Sequence, residues 1–366
     1  MDKYFLYKVS AVKLLSCLFA VLVFSRFAQL GDSENYINAT FELSIERLTD
    51  RTFLTENFFA LIALVTGRGL FTHLATALLV ALTIFYVFKK DSKRIPIVFW
   101  VLLLMPLFAV WTSVVGKESL AFCIFLLISK WISEVVVWGK SNNLILLPSL
   151  LVGVVIRPHY LLAYAFIVIM IYFFLYRREI SLIAGVRFSA GVYTLIMVGL
   201  AVLSFSFVSL YESYWEPYLL EIMKTAESYF LSYDGNSNRT WISWDSYDDF
   251  LSNMMWGFPI SLIGPSLTEV IKQPLLTPFF IEGLLSIFLI FFFLIQLSRH
   301  AKYSPRIRFF LYVIFIPAIF LALLVHYPFG IFNPGSATRY KQALSPLLYF
   351  LPILIMTNAT RKSGSI

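Results

Sequence analysis

Charge is what this sequence has least of. Only 14% of its 366 residues are Asp, Glu, Lys or Arg, against about a quarter in a soluble domain. With 59% hydrophobic residues and a mean hydropathy of +0.80, that scarcity excludes a water-soluble chain and points to a membrane. Cysteine is nearly absent. Cys17 and Cys123 both lie in apolar runs and read as packing residues, not as a disulfide or a metal pair. There is no CxxC, HExxH or P-loop pattern, so the sequence requires no cofactor. No internal repeat of the kind that marks many secondary transporters is visible.

The few charges are not evenly spread. The net charge of +8 could suggest nucleic acid, but the bases gather in short connections. These are Lys3, Lys8 and Lys13; Lys89, Lys90, Lys93 and Arg94; Arg177, Arg178 and Arg187; Arg299, Lys302, Arg306 and Arg308; and Arg361 and Lys362. The positive-inside rule expects such groups in cytoplasmic loops. The basic balance is therefore a sign of topology, and no nucleic-acid partner is expected.

A helix needs about 20 apolar residues to cross the hydrocarbon core. Runs bounded by charge or turn residues give ten candidates, near 11–30, 70–88, 95–113, 119–138, 143–157, 161–176, 188–208, 276–297, 309–326 and 343–357. The first has no clean small-residue cleavage site after it and reads as an anchor. The expected fold is thus an all-α polytopic membrane protein of about ten transmembrane helices. It forms a single domain over 1–366, with both termini cytoplasmic. Two longer extracytoplasmic loops are expected at about 31–57 and 209–275. In the first, Phe58–Thr66 is apolar but too short to span. In the second, Met254–Ile263 is broken by Pro259 and reads as interfacial or re-entrant.

Four polar clusters interrupt the oily sequence, each at the outer end of an apolar run. The first holds Asp32 and Glu34, carboxylates that can act as a general base toward a hydroxyl or hold a cation. Its ordinary reading is a helix N-cap. The second is Lys117 and Glu118 in a tight connection. A lysine at a helix start suits an anion such as phosphate, and Glu118 alone is also what a helix dipole favours. The third is Arg157-Pro158-His159-Tyr160, where the guanidinium fork suits phosphate oxygens and the histidine can relay a proton. Snorkelling to headgroups is the plainer account of Arg157. The fourth is Asn333-Pro334-Gly335-Ser336-Ala337-Thr338-Arg339-Tyr340-Lys341. Basic residues on that face oppose positive-inside, so Arg339 and Lys341 need a reason: pairing with the acids of the first loop, or binding a pyrophosphate. His326 reads as interfacial, and His73 and His300 carry no functional expectation. Within the spans the main ions are Arg26, Lys130 and Glu134, the last two spaced to pair on one helix face. The Trp and Tyr residues of the second loop fit either an interfacial belt or stacking on sugar faces.

In these stretches the chain resembles polytopic membrane glycosyltransferases. Gly-Asp-x-Glu-x-Tyr after the first span is similar to the acidic motif of the GT-C type. Gly-Lys-Glu-Ser, Arg-Pro-His and Asn-x-Gly-Ser-Ala-x-Arg-Tyr-Lys resemble bacterial surface-polysaccharide proteins assigned as Wzy-type O-antigen repeat-unit polymerases. The resemblance implies inverting glycosyl transfer on the outer face of the bacterial inner membrane, from a polyprenyl-pyrophosphate-linked glycan. It implies catalytic roles for Asp32, Glu34 and His159. Substrate-binding roles fall to Lys117, Glu118, Arg157, Tyr160, Arg339, Tyr340 and Lys341. A divalent cation could sit in the acidic loop, and no metal ligand is assigned. Membrane lipid and a regulator of chain length are the implied partners. Transfer of a single sugar from a polyprenyl phosphate, and lipid-linked glycan transport, are the alternatives.

Overall fold

The computed structural model describes residues 3–45, 50–140, 142–175, 212–232 and 238–363. The expected span at 188–208, the bases Arg177, Arg178 and Arg187, Glu46, and the turn residues Asp234–Ser237 lie outside the described residues. Among the described residues every regular element is helical. Six helices are long and apolar enough to cross a membrane: Lys3–Arg26, Leu70–Phe88, Lys117–Trp138, Pro158–Leu175, Pro274–Ala301 and Pro305–Ile331. A seventh is a pair bent by 51°, Pro334–Ala343 and Pro346–Lys362.

In chain order we label α1 (Lys3–Leu22), α2 (Ser33–Asn38), α3 (Arg51–Thr66), α4 (Leu70–Phe88), α5 (Ile97–Leu104), α6 (Pro106–Trp111), α7 (Lys117–Trp138), α8 (Leu146–Ile156) and α9 (Pro158–Leu175). There follow α10 (Glu212–Ser232), α11 (Tyr247–Ile263), α12 (Leu267–Lys272), α13 (Thr277–Ala301), α14 (Pro305–Ile331), α15 (Pro334–Tyr340) and α16 (Pro346–Lys362).

Two expected spans are not single long helices, and proline is the reason. The run at 95–113 breaks between α5 and α6 at Pro106, which has no N–H to continue a helix. The run at 143–157 yields only the 11 residues of α8, because Pro158 disfavours helical geometry at the residue before it. Arg157 there takes φ −146° and ψ 67°. Lys13 departs too: it is not a loop base. It lies within α1, fully buried, and donates to Thr112 Oγ1 at 2.5 Å with its ammonium 4.4 Å from the Phe108 ring centre.

Contacts sort the bundle into two ends. At one, Arg361 pairs with Asp91 at 3.2 Å, Lys362 donates to the Val137 carbonyl, and Lys130 meets Glu134 at 2.6 Å. At the other, Arg157, Glu118, Arg339 and Asp32 converge. Between the two ends a ladder of aromatics fills the core. Phe350 stacks on Phe108 and meets Phe122, Phe99 and Phe88 edge-on. Neither short apolar run is among the helices long and apolar enough to cross a membrane. Helix α3 is capped by Asp50, and its two ends stay with the polar clusters: Thr52 accepts from Lys117, and Gly67 leads directly to α4, whose His73 holds Val115. Met254–Ile263 forms the second half of α11, with Pro259 inside the helix.

Arg239 ties the segment after α10 to the bundle. It is fully buried, with two parallel bonds to Glu269 at 2.8 Å, and it also reaches the carbonyls of Gly264 and Ile331. Desolvation works to raise the Glu269 pKa, but hydrogen bonds from Arg239 and Ser266 and the Arg239 charge hold it below the usual carboxylate range. With a depressed folded value, the contribution is complete above the unfolded pKa of about 4.3. It is lost as pH falls through the lower folded value. Arg239→Ala leaves Glu269 and the carbonyls of Gly264, Gly330 and Ile331 without this donor, a loss of about 3–5 kcal/mol for a broken buried pair. Because Cys17 and Cys123 are buried, a thiol-reactive dye should report this as an earlier thermal transition at pH 7, with the gap from the native chain shrinking below pH 4.

Candidate functional site

Each charged side chain of the site is delivered by a helix end. Gly116 precedes α7, placing Glu118 in its first turn, where the backbone dipole favours a carboxylate. Arg157 is the turn between α8 and α9. Arg339 lies in α15, a short helix capped by Asn333, whose Oδ1 accepts the Ser336 N–H at 3.0 Å. Asp32 immediately precedes α2.

Glu118 is 1% exposed, and a single oxygen, Oε1, accepts from Arg157 Nη2 at 2.5 Å and from Arg339 Nε at 3.0 Å. Arg339 Nη2 donates onward to Asp32 Oδ2 at 3.2 Å, and the Tyr36 hydroxyl donates to the same oxygen at 3.3 Å. Burial first, then the Asp32 and Glu118 charges, push the Tyr36 phenol well up, so it remains a donor. Tyr340 lies between the two arginines, its ring centre 4.5 Å from the Arg157 guanidinium and 5.7 Å from that of Arg339; Trp111 adds a face at 5.3 Å. These distances suit cation–π attraction. Lys117 donates to Thr52 Oγ1 at 2.9 Å and lies 5.8 Å from the Tyr36 ring. Three cations thus accompany two carboxylates, which leaves room for a ligand anion.

Gly31 makes the approach of Arg339 possible. Its φ of +65° is a left-handed conformation, and a Cβ there would fall on the Arg339 guanidinium. Two clefts share Gln29 and Gly31. One, of about 810 Å³, is lined by Ser25, Gln29, Asp32, Glu34, Asn35, Asn38 and His73 among others. The other, of about 650 Å³, is lined by Phe24, Trp111, Phe279, Asn333, Arg339 and Tyr340 among others.

Not all the residues singled out in the sequence meet. Lys341, two positions on from Arg339, faces away from the cluster; it is buried and donates to the Leu262 carbonyl at 3.0 Å and to Ser286 at 3.3 Å. Glu34 is exposed in the larger cleft. His159 stacks on Phe329, and its Nε2 is buried with no hydrogen-bond partner among the described residues. Tyr160 turns inward and donates to His326 Nδ1 at 2.7 Å. His326 Nε2 is 3.1 Å from the Ser261 carbonyl, which can only accept, so the ring proton sits on Nε2.

His326 is therefore a buried connector, not an interfacial residue. Glu282 was not singled out either. It is buried and accepts the Leu107 and Phe108 N–H groups that the α5–α6 break sets free. An acid inside the apolar run 276–297 was the signal that could have found it. Trp111 carries no such signal. Among the described residues no group of three or more His, Cys, Asp or Glu is arranged to hold a metal ion.

No protein family matches this chain, and neither a curated protein nor a solved structure matches it with significance.

Glu118→Ala should leave two guanidiniums without their shared acceptor and cost about 3–5 kcal/mol. Asp32, 54% exposed, should cost at most about 1 kcal/mol when changed to Asn. Thermal transitions of the two variants by the thiol-dye method should separate accordingly; similar shifts would remove Glu118 from the centre of the site.

Proposed function

We propose that the chain is a glycosyltransferase of the bacterial inner membrane that joins lipid-linked glycan units into a surface polysaccharide. The observation that carries this reading is the meeting of four distant polar motifs in one cluster beside two clefts, with Arg157 and Arg339 bonded to the buried Glu118 and Asp32 joined through Arg339. In this reading the acceptor hydroxyl oxygen attacks the anomeric carbon of the donor. The bond from that carbon to the lipid pyrophosphate breaks, and its electron pair leaves on the phosphate oxygen. Arg339, with Arg157 and Lys117 nearby, meets the growing charge in a site already organised for it. Of the two carboxylates that line the larger cleft, Asp32 is the one paired with Arg339, so it takes the proton from the attacking hydroxyl. His159, stacked and buried on the Phe329 side, is less suited to that role.

The topology belongs to the same proposal. With ten spans and both termini cytoplasmic, the end carrying Lys89, Lys302 and Arg361 faces the cytoplasm and the arginine cluster faces out. Reporter fusions after Lys90 and Lys302 should read cytoplasmic; an external result at either overturns the sidedness. A single-sugar transferase would use the same groups, and the product separates the two: a ladder of repeats or one added residue. A specific observation favours transport as a second reading, namely the buried ions Lys13, Glu282 and Lys341 within the spans.

Arg157→Ala and Arg339→Ala should each remove long chains from the surface-glycan profile of a complemented deletion strain. Loss of a contact to a charged group is worth about 1.5–3 kcal/mol, or about 10- to 100-fold in rate. Arg339 still covers Glu118 in Arg157→Ala, so that protein should remain abundant on an immunoblot. Arg157→Lys should also be impaired, since an ammonium lacks the forked geometry. Asp32→Asn should bind donor lipid without turnover. Full polymer length in Arg157→Ala would leave that residue as a structural partner of Glu118, buried and not snorkelling to headgroups.

A further inference from the structure

The two clefts that meet at Gln29 and Gly31 differ in charge. The cleft of about 650 Å³ holds Arg339 among aromatic side chains and has no acid in its lining among the described residues. The cleft of about 810 Å³ has the reverse character. Asp32 and Glu34 line it with Ser25, Gln29, Asn35 and Asn38, and among the described residues no Lys or Arg is in its wall, although Asp32 pairs with Arg339 across the boundary at 3.2 Å.

His73 supplies an independent sign that the larger cleft receives a ligand. It is 6% exposed and lines the cleft. Its Nδ1 accepts the Val115 N–H at 3.0 Å, so the neutral ring carries its proton on Nε2. That donor has no partner among the described residues. Ser33, from the same wall, donates to the Val115 carbonyl at 2.5 Å. The N–H and the carbonyl of Val115, three residues before Glu118, are thus both held by the cleft wall.

We infer that this cleft takes the acceptor sugar, and that the sugar is uncharged or amino-bearing and not a uronic acid. The inference rests on the glycosyltransferase reading and adds the substrate class. Amide, hydroxyl and imidazole groups at several points of a broad cleft match the alternating donors and acceptors of a sugar ring. Glu34, exposed in the wall, repels a ligand carboxylate and tolerates an ammonium, while Asp32 beside it shares its charge with Arg339. An acceptor seated here would present its hydroxyl to Asp32, at the boundary with the Arg339 cleft.

The test uses the full chain in lipid nanodiscs and saturation-transfer NMR with three probes: diacetylchitobiose, its deacetylated diamine, and digalacturonic acid. The first two should bind, and the uronate at least tenfold more weakly. The double variant Asp32→Asn, Glu34→Gln should bring uronate binding to within about twofold of the neutral disaccharide. Asn35→Leu, on the exposed face of α2, should weaken the neutral probe. Equal binding of the uronate by the native chain overturns the inference, as does unchanged selectivity in the double variant or no binding of any probe. Selective binding by a protein that transfers no sugar sinks the enzyme reading and leaves the cleft. Efficient transfer onto a uronate acceptor does the opposite.

Discussion

The Glu118 carboxylate, buried at the start of α7 and shared by two guanidiniums, is the contact on which the polar end of the molecule depends. A carboxylate so far from water is tolerated only when cations and hydrogen bonds replace its hydration. Arg157 and Arg339 do so from opposite sides. They arrive from a proline turn and from a short bent helix, segments 182 residues apart in the sequence. The ion pairing therefore positions the α8–α9 turn and α15 against α7. Tyr340 fills the space between the two arginines, and Asp32 extends the chain of charges to the cleft.

The same principle governs the broken helices. A backbone donor or acceptor freed inside a bilayer costs several kcal/mol unless something meets it. Glu282 meets the N–H groups released at Pro106, Lys341 takes the Leu262 carbonyl near the end of α11, and Arg239 gathers the carbonyls of Gly264 and Ile331. The break at Pro106 and the ends of α11 and α14 are thus each met by a buried ionic side chain. The irregular backbone stays where protein surrounds it, and this lets short helices deliver Arg157 and Arg339 to one point.

Chemically, the consequence is a boundary. An ion pair between Asp32 and Arg339 divides an acidic, amide-rich cleft from an aromatic, cationic one. A reaction that moves a sugar from a phosphate to a hydroxyl needs a base and a cation at adjacent positions, facing different substrates. The passage of Arg339 past the Cβ-free backbone of Gly31 brings Asp32 and Arg339 together at the boundary of the two clefts.

The sequence by itself determined the membrane class, most of the long apolar helices and the grouping of charges at two ends. Apolar run length and the placement of Lys and Arg are local quantities, and bilayer thickness converts them directly into structure. It also singled out Asp32, Glu118, Arg157 and Arg339, because a charge beside a long apolar run stands out. Tertiary structure alone decided which of the marked residues meet. Lys341 looks equivalent to Arg339 in sequence, yet two positions along a helix turn it to the opposite side, toward Ser286. His326 looked interfacial until Tyr160, 166 positions away, was found against it. Lys13 looked like part of a basic loop until Thr112 accepted from it within the bundle. Local pattern fixes how far a residue lies along its helix, whereas the rotation of that helix and the identity of its neighbour are set by packing between segments distant in the chain.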